Sequence, residues 1–109
     1  MKNISVINTI TVPDGMESIA EEVREEYVNY FKKQEGFVSS TFYRSINRED
    51  GNAIRYVNIV VWKSIESFES VVNLGFKNKS GENEDRYRVL GKGFPAPIKV
   101  SPGQYEIIA

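Results

Sequence analysis

Apolar positions are densest over Ile54–Phe68, the stretch I-R-Y-V-N-I-V-V-W-K-S-I-E-S-F, which reads as a strand running straight into a helix. Successive side chains of a strand point to opposite faces. One face therefore carries Ile54, Tyr56, Asn58, Val60 and Trp62, and the other Val57, Ile59 and Val61. A strand that is apolar on both faces needs cover on both. A chain of 109 residues has few elements to supply it, so a second subunit is expected.

The same alternation marks an earlier strand, where Ile4, Val6, Asn8, Ile10 and Val12 interleave with Ser5, Ile7, Thr9 and Thr11. Pro13-Asp14-Gly15 ends it, and Asp14 with Glu17 has the form of a helix N-cap and capping box. Met16, Ile19, Ala20, Val23, Tyr27, Tyr30 and Phe31 then recur at helical spacing, and Gly36 is expected to close that helix. Phe37–Ser45 reads as a second strand, Asn47–Asn52 as a hairpin turn and Ala53–Lys63 as the third strand. Ser64 is placed to cap a second helix whose apolar positions are Ile65, Phe68, Val71 and Val72. A polar loop over 73–85 leads to a short helical piece at Arg86–Leu90 and a Gly- and Pro-containing connector. The last strand reads as Ile98–Val100 and Gln104–Ile108, with a bulge or bend at Pro102-Gly103.

The predicted order is β-α-β-β-α-β, an α+β ferredoxin-like fold spanning residues 1–109 as one domain. Both helices cover one face of an antiparallel sheet. The other face carries Val57, Ile59 and Val61, and a sheet-to-sheet homodimer, a dimeric α/β barrel, would cover it.

Composition narrows the chemistry. The 14 basic and 15 acidic residues are interspersed without a basic stripe, which argues against nucleic acid. No apolar run has the length of a membrane span, and the N-terminus lacks a signal-peptide core, so a cytoplasmic location is expected. The chain has no Cys, which excludes disulfides, thiolate nucleophiles and Cys-ligated metal. With no His either, acid–base work falls to carboxylates, Lys, Tyr or the substrate. No metal, haem or flavin is expected.

Asn58 and Trp62 put an amide and an indole on the face that meets the helices. Asn8 adds a second amide on the first strand. These groups fit either a structural role, each bonded locally in the core, or a small, mostly apolar cavity with convergent polar groups. The six tyrosines fit an amphipathic core, Arg86 and Arg88 fit surface positions or an anion clamp, and Glu21, Glu22, Glu25 and Glu26 fit a solvated helix face.

The chain resembles the antibiotic biosynthesis monooxygenase family over nearly its whole length. The resemblance rests on Val12–Glu17 (V-P-D-G-M-E), Glu35–Phe37 (E-G-F), Phe42–Ser45 (F-Y-R-S) and Val57–Phe68 (V-N-I-V-V-W-K-S-I-E-S-F). It implies a cofactor-independent monooxygenase that oxidises a small aromatic or polyketide-like phenol or hydroquinone with O2. Asn58 and Trp62 match the catalytic pair of the quinone-forming members. Phe68 and Arg86 fall at further positions those enzymes use, with Phe68 standing where they have Tyr, and Asn8, taken with them as substrate-binding, matches a strand-one Asn of haem-degrading relatives. Haem-degrading relatives use a His that this chain does not have. The same fold also accommodates an isomerase or degradation enzyme for a small carbonyl signal compound, and a non-catalytic small-molecule-binding protein.

Overall fold

Two strands of nine residues form the centre of the sheet, because each has a long face that is apolar except for one asparagine. β1 (Ile4–Val12) and β3 (Ile54–Trp62) pair antiparallel along their full lengths. The computed structural model describes residues 3–72 and 94–109. The short strands take the edges: β2 (Phe37–Arg44) beside β3, and β4 (Lys99–Glu106) beside β1. The order β2-β3-β1-β4, with α1 (Glu17–Phe31) after β1 and α2 (Ile65–Val72) after β3, is the ferredoxin-like α+β fold. The loop over 73–85, the helical piece at Arg86–Leu90, Arg88 and the expected binding residue Arg86 lie outside the described residues.

The helices cover one sheet face. Ile54, Tyr56, Asn58, Val60 and Trp62 are all buried there, while Val57, Ile59 and Val61 on the opposite face are only partly covered. On α1 the residues turned inward are Ala20, Val28 and Phe31, and Ile19 is exposed. The buried stripe thus runs through Ala20, Arg24 and Val28 at spacings of four, with a half-covered cation in the middle.

The ends of the elements follow local chemistry, with some departures from the sequence pattern. Ser64 caps α2 as expected, its Oγ accepting from the Ser67 N–H at 3.1 Å. Asp14 does not cap α1. The N-cap is Met16, without a side-chain bond, and Glu17 reaches back to accept from the Gly15 N–H at 2.6 Å. Asp14 instead faces Arg48, which also pairs with Glu17 at 3.1 Å and donates to the Asn52 carbonyl, tying the β2–β3 hairpin to the start of α1.

Gly36 lies beyond the end of α1, which closes at Lys32 through its own backbone bonds. It adopts φ of +92°, and a Cβ there would collide with the Ser67 side chain, so its role is the close approach of the β2 entry to α2. The expected break at Pro102-Gly103 is absent: β4 pairs with β1 in one register from Lys99 to Glu106, with Pro102 opposite Asn8. β4 is an edge strand, where proline is tolerated because one side of the strand has no ladder to complete. The register shift in the sheet falls instead in β2, between Phe37 and Ser39.

Candidate functional site

The helix-facing side of the sheet has two separate apolar clusters. One gathers Ile4, Val6, Phe31, Val60, Trp62, Phe68 and Val71. The other gathers Ile10, Val12, Ala20, Ile54, Tyr56 and Ile98, with Phe42 and Phe94 against it. Asn8 and Asn58 lie between them, directly opposite each other in the β1–β3 register. Phe42 stands on the far side of Asn58 in β2. The sheet therefore carries a polar seam between two dry regions.

The two amides differ in their bonding. Asn58 is buried, and its Oδ1 accepts from the Arg24 Nε–H of α1 at 3.0 Å. The Arg24 guanidinium also lies 4.7 Å from the centre of the Phe42 ring, a cation–π contact. Burial pulls the Arg24 pKa down from its ordinary value, with nearby Glu25 opposing that shift. Arginine titrates so high that it keeps its charge. Asn8 Oδ1, in contrast, is buried with no hydrogen-bond partner among the described residues. A buried amide oxygen without a donor costs about 1–3 kcal/mol, and a ligand donor at that position would recover it.

Arg24 was not among the residues that the sequence pattern singles out. The signal was its place four residues after Ala20 and four before Val28, a charge on the buried stripe of an amphipathic helix. It was obscured by the acidic residues around it, which mark the same segment as a solvated face.

Trp62 is on the same sheet face as Asn58 but in a different environment. It is 1% exposed, edge-on to Phe31 at 5.5 Å and to Phe37 at 6.0 Å. Phe68 of α2 packs against it at 6.2 Å. Four residues of strand separate Trp62 from Asn58 by about 13 Å at roughly 3.3 Å per residue. The structure thus joins Asn8 with Asn58, and Trp62 with Phe68, as two groups at different points of the layer.

On the β2 side, α1 and the edge strand enclose an open groove of about 420 Å³, whose lining includes Arg24, Phe42, Arg44, Lys32 and Tyr56. Tyr56 stacks on Phe42 at 5.0 Å and donates its hydroxyl to Glu21 at 2.6 Å. Burial, then the Glu21 carboxylate, pushes the Tyr56 phenol up to about 12, so it stays protonated at neutral pH. The charged rim suits this groove to water and polar groups, whereas the seam lies between two apolar clusters. Among the described residues no three His, Cys, Asp or Glu side chains converge as metal ligands. No helix among them is long and apolar enough to cross a membrane.

The strand order and the two helices place the chain among small ferredoxin-like α+β proteins. The family model for antibiotic biosynthesis monooxygenase matches residues 3–74, and the chain belongs to that family. No curated protein matches it in sequence. Among solved structures, it is similar to SnoaB, a cofactor-independent oxygenase from Streptomyces nogalater, at 22% identity. That match covers 100% of this chain and 96% of the other, with a TM-score of 0.66. A protein of Shewanella loihica PV-4 with a provisional monooxygenase assignment matches at 19% identity, TM-score 0.72, covering 99% of this chain and 96% of that one. A dimeric ferredoxin-like protein from an uncultured marine organism matches at 17% identity, TM-score 0.65, covering 100% and 98%.

Proposed function

We propose that this protein is a cofactor-independent monooxygenase that converts a small electron-rich phenol or hydroquinone to a quinone with O2. The observation that carries the reading is the seam: two opposed amides, one with its oxygen unpartnered, between apolar clusters on the helix-facing side of the sheet. Family membership and the likeness to SnoaB support it.

In this reading the aromatic ring lies against the apolar walls and its oxygen meets the amides. The phenol gives up its proton to solvent water, which returns it to the hydroxide that leaves in the last step. The electron-rich anion passes an electron to O2, the two radicals join at carbon, and the peroxide collapses to a carbonyl with release of water. One oxygen atom of O2 enters the product and the other leaves as water. The protein positions the ring and stabilises negative charge on oxygen, which is most effective where water is excluded. Amide N–H groups can do this without carrying charge themselves. Trp62 and Phe68 supply the apolar wall at one end, and Arg86 remains the substrate-anion contact that the resemblance implies.

The unit is proposed to be a homodimer through the sheet face that bears Ile7, Val57, Ile59 and Val61. These residues are only partly covered within one chain, and a dimeric protein is among the structures of this fold.

The test is 1-naphthol, whose conversion to 1,4-naphthoquinone consumes one O2 and yields one water, run under 18O2 beside other phenols that carry hydrogen at the para carbon. Label in the quinone is the expected result. Binding of the naphthol without O2 uptake would instead favour a non-catalytic binding protein.

A further inference from the structure

The geometry points to Arg24 as a positioning residue that sets which end of the Asn58 amide meets the ligand, making the Asn8–Asn58 pair a receptor for one aromatic hydroxyl. The chemistry of that hydroxyl rests on the monooxygenase reading; the positioning does not.

An asparagine amide can turn over about its last torsion, exchanging a donor end for an acceptor end at little steric cost. Here Arg24 removes that freedom. Its Nε–H is committed to Asn58 Oδ1 at 3.0 Å, and its guanidinium is held over the Phe42 ring on the β2 side. With the oxygen committed to Arg24, the NH2 end is the one left for a ligand. The directly opposed residue of β1 is Asn8, whose Oδ1 is buried and unpartnered. The pair thus offers one donor and one acceptor from directly opposed strand positions.

A hydroxyl group complements this arrangement, because its oxygen accepts from Asn58 and its hydrogen is donated to Asn8. A carbonyl or ether oxygen cannot satisfy Asn8, and an ammonium cannot accept from Asn58. When the hydroxyl ionises, the Asn58 N–H remains a donor to the anion, and the Arg24 charge behind Asn58 favours that form. If the amide were reversed, two oxygens would face the ligand and the anion would be repelled.

Two substitutions separate the hydrogen bond from the charge. In Arg24→Gln the side-chain nitrogen stands at the same bond count as Arg Nε, so the donor is kept without the charge. Arg24→Met has similar length and no donor. The experiment titrates 15N-labelled protein with 1-naphthol under argon, so that no turnover occurs, and follows the side-chain amide resonances of Asn58 and Asn8. In the unsubstituted protein both should move with the same dissociation constant. Arg24→Met should weaken binding about tenfold or more and abolish the Asn58 response, on the scale of one lost hydrogen bond to the ligand. Arg24→Gln should bind within about threefold of the parent and keep that response.

1-Methoxynaphthalene, which cannot donate to Asn8, should bind weakly to all three. Equal losses in Met and Gln variants would overturn the proposal, as would undiminished binding in Arg24→Met or no Asn58 response in the parent. Absence of 18O incorporation in the separate turnover assay would sink the monooxygenase reading and leave this binding result to stand.

Discussion

The Nε–H of Arg24 on α1 donates to Oδ1 of Asn58 on β3 at 3.0 Å, and this bond joins helix and sheet where the two apolar clusters part. A charged side chain is kept on a buried helix stripe only when something in the fold satisfies it. Asn58 and the Phe42 ring do so here.

Replacing Tyr56 with Phe removes the hydroxyl that donates to Glu21. The expected loss is about 1 kcal/mol, since Glu21 is partly exposed. The phenol pKa is raised in the folded protein to about 12 from an ordinary value of 10. The unfolded chain therefore releases this proton first, so the stabilisation is complete below pH 10 and is lost as pH rises towards 12. Urea unfolding of both proteins at pH 8 and pH 11 should show the gap between them narrowing at the higher pH. A constant gap contradicts the assignment.

Gly36→Ala should destabilise the fold by about 1–2 kcal/mol from the left-handed backbone alone, with a further cost from the clash at Ser67. Gly51→Ala is the control, because its φ is also positive at +75° but a Cβ there meets nothing. Chemical denaturation should rank Gly36→Ala as clearly the worse of the two.

Ile59→Lys places an ammonium on the outer sheet face, where Val57 and Val61 are its neighbours. Light scattering at micromolar concentration should give a dimer for the parent and a monomer for the variant. A monomeric parent would remove the dimer from the account.

Trp62→Phe trades an indole in contact with Phe31, Phe37 and Phe68 for a smaller ring. Thermal unfolding should show a loss of about 1–3 kcal/mol, the range for creating a modest cavity in a packed core. If the indole is also a donor to the substrate, the rate per folded molecule will fall as well; an apolar wall predicts a rate within about threefold of the parent.

Much of this arrangement was legible from alternation. The period of two placed Asn8 and Asn58 on the helix-facing side, and Ser64 announced α2 because a serine before an apolar helical run is a cap in most contexts. What alternation could not give was register. Only the pairing of β1 with β3 shows that the two amides are opposite each other and that Trp62 faces Ile4 in another cluster. Arg24 does not stand out in the sequence because Glu21, Glu22, Glu25 and Glu26 around it give the segment the character of a solvated face. Asp14 and Pro102 misled for a common reason: a local motif is overridden when a distant partner, Arg48 for one and the sheet edge for the other, decides the geometry.

The most direct test of the seam as the site is the rate of 18O-labelled quinone formation by Asn58→Ala, expressed per folded protein and set beside its melting temperature. Removing the amide should lower kcat by about a hundredfold, as expected for loss of one oxyanion donor, with a smaller rise in KM, and should cost about 1–3 kcal/mol of stability because Arg24 loses its acceptor. A variant that folds like the parent and turns over at the parent's rate would contradict the account.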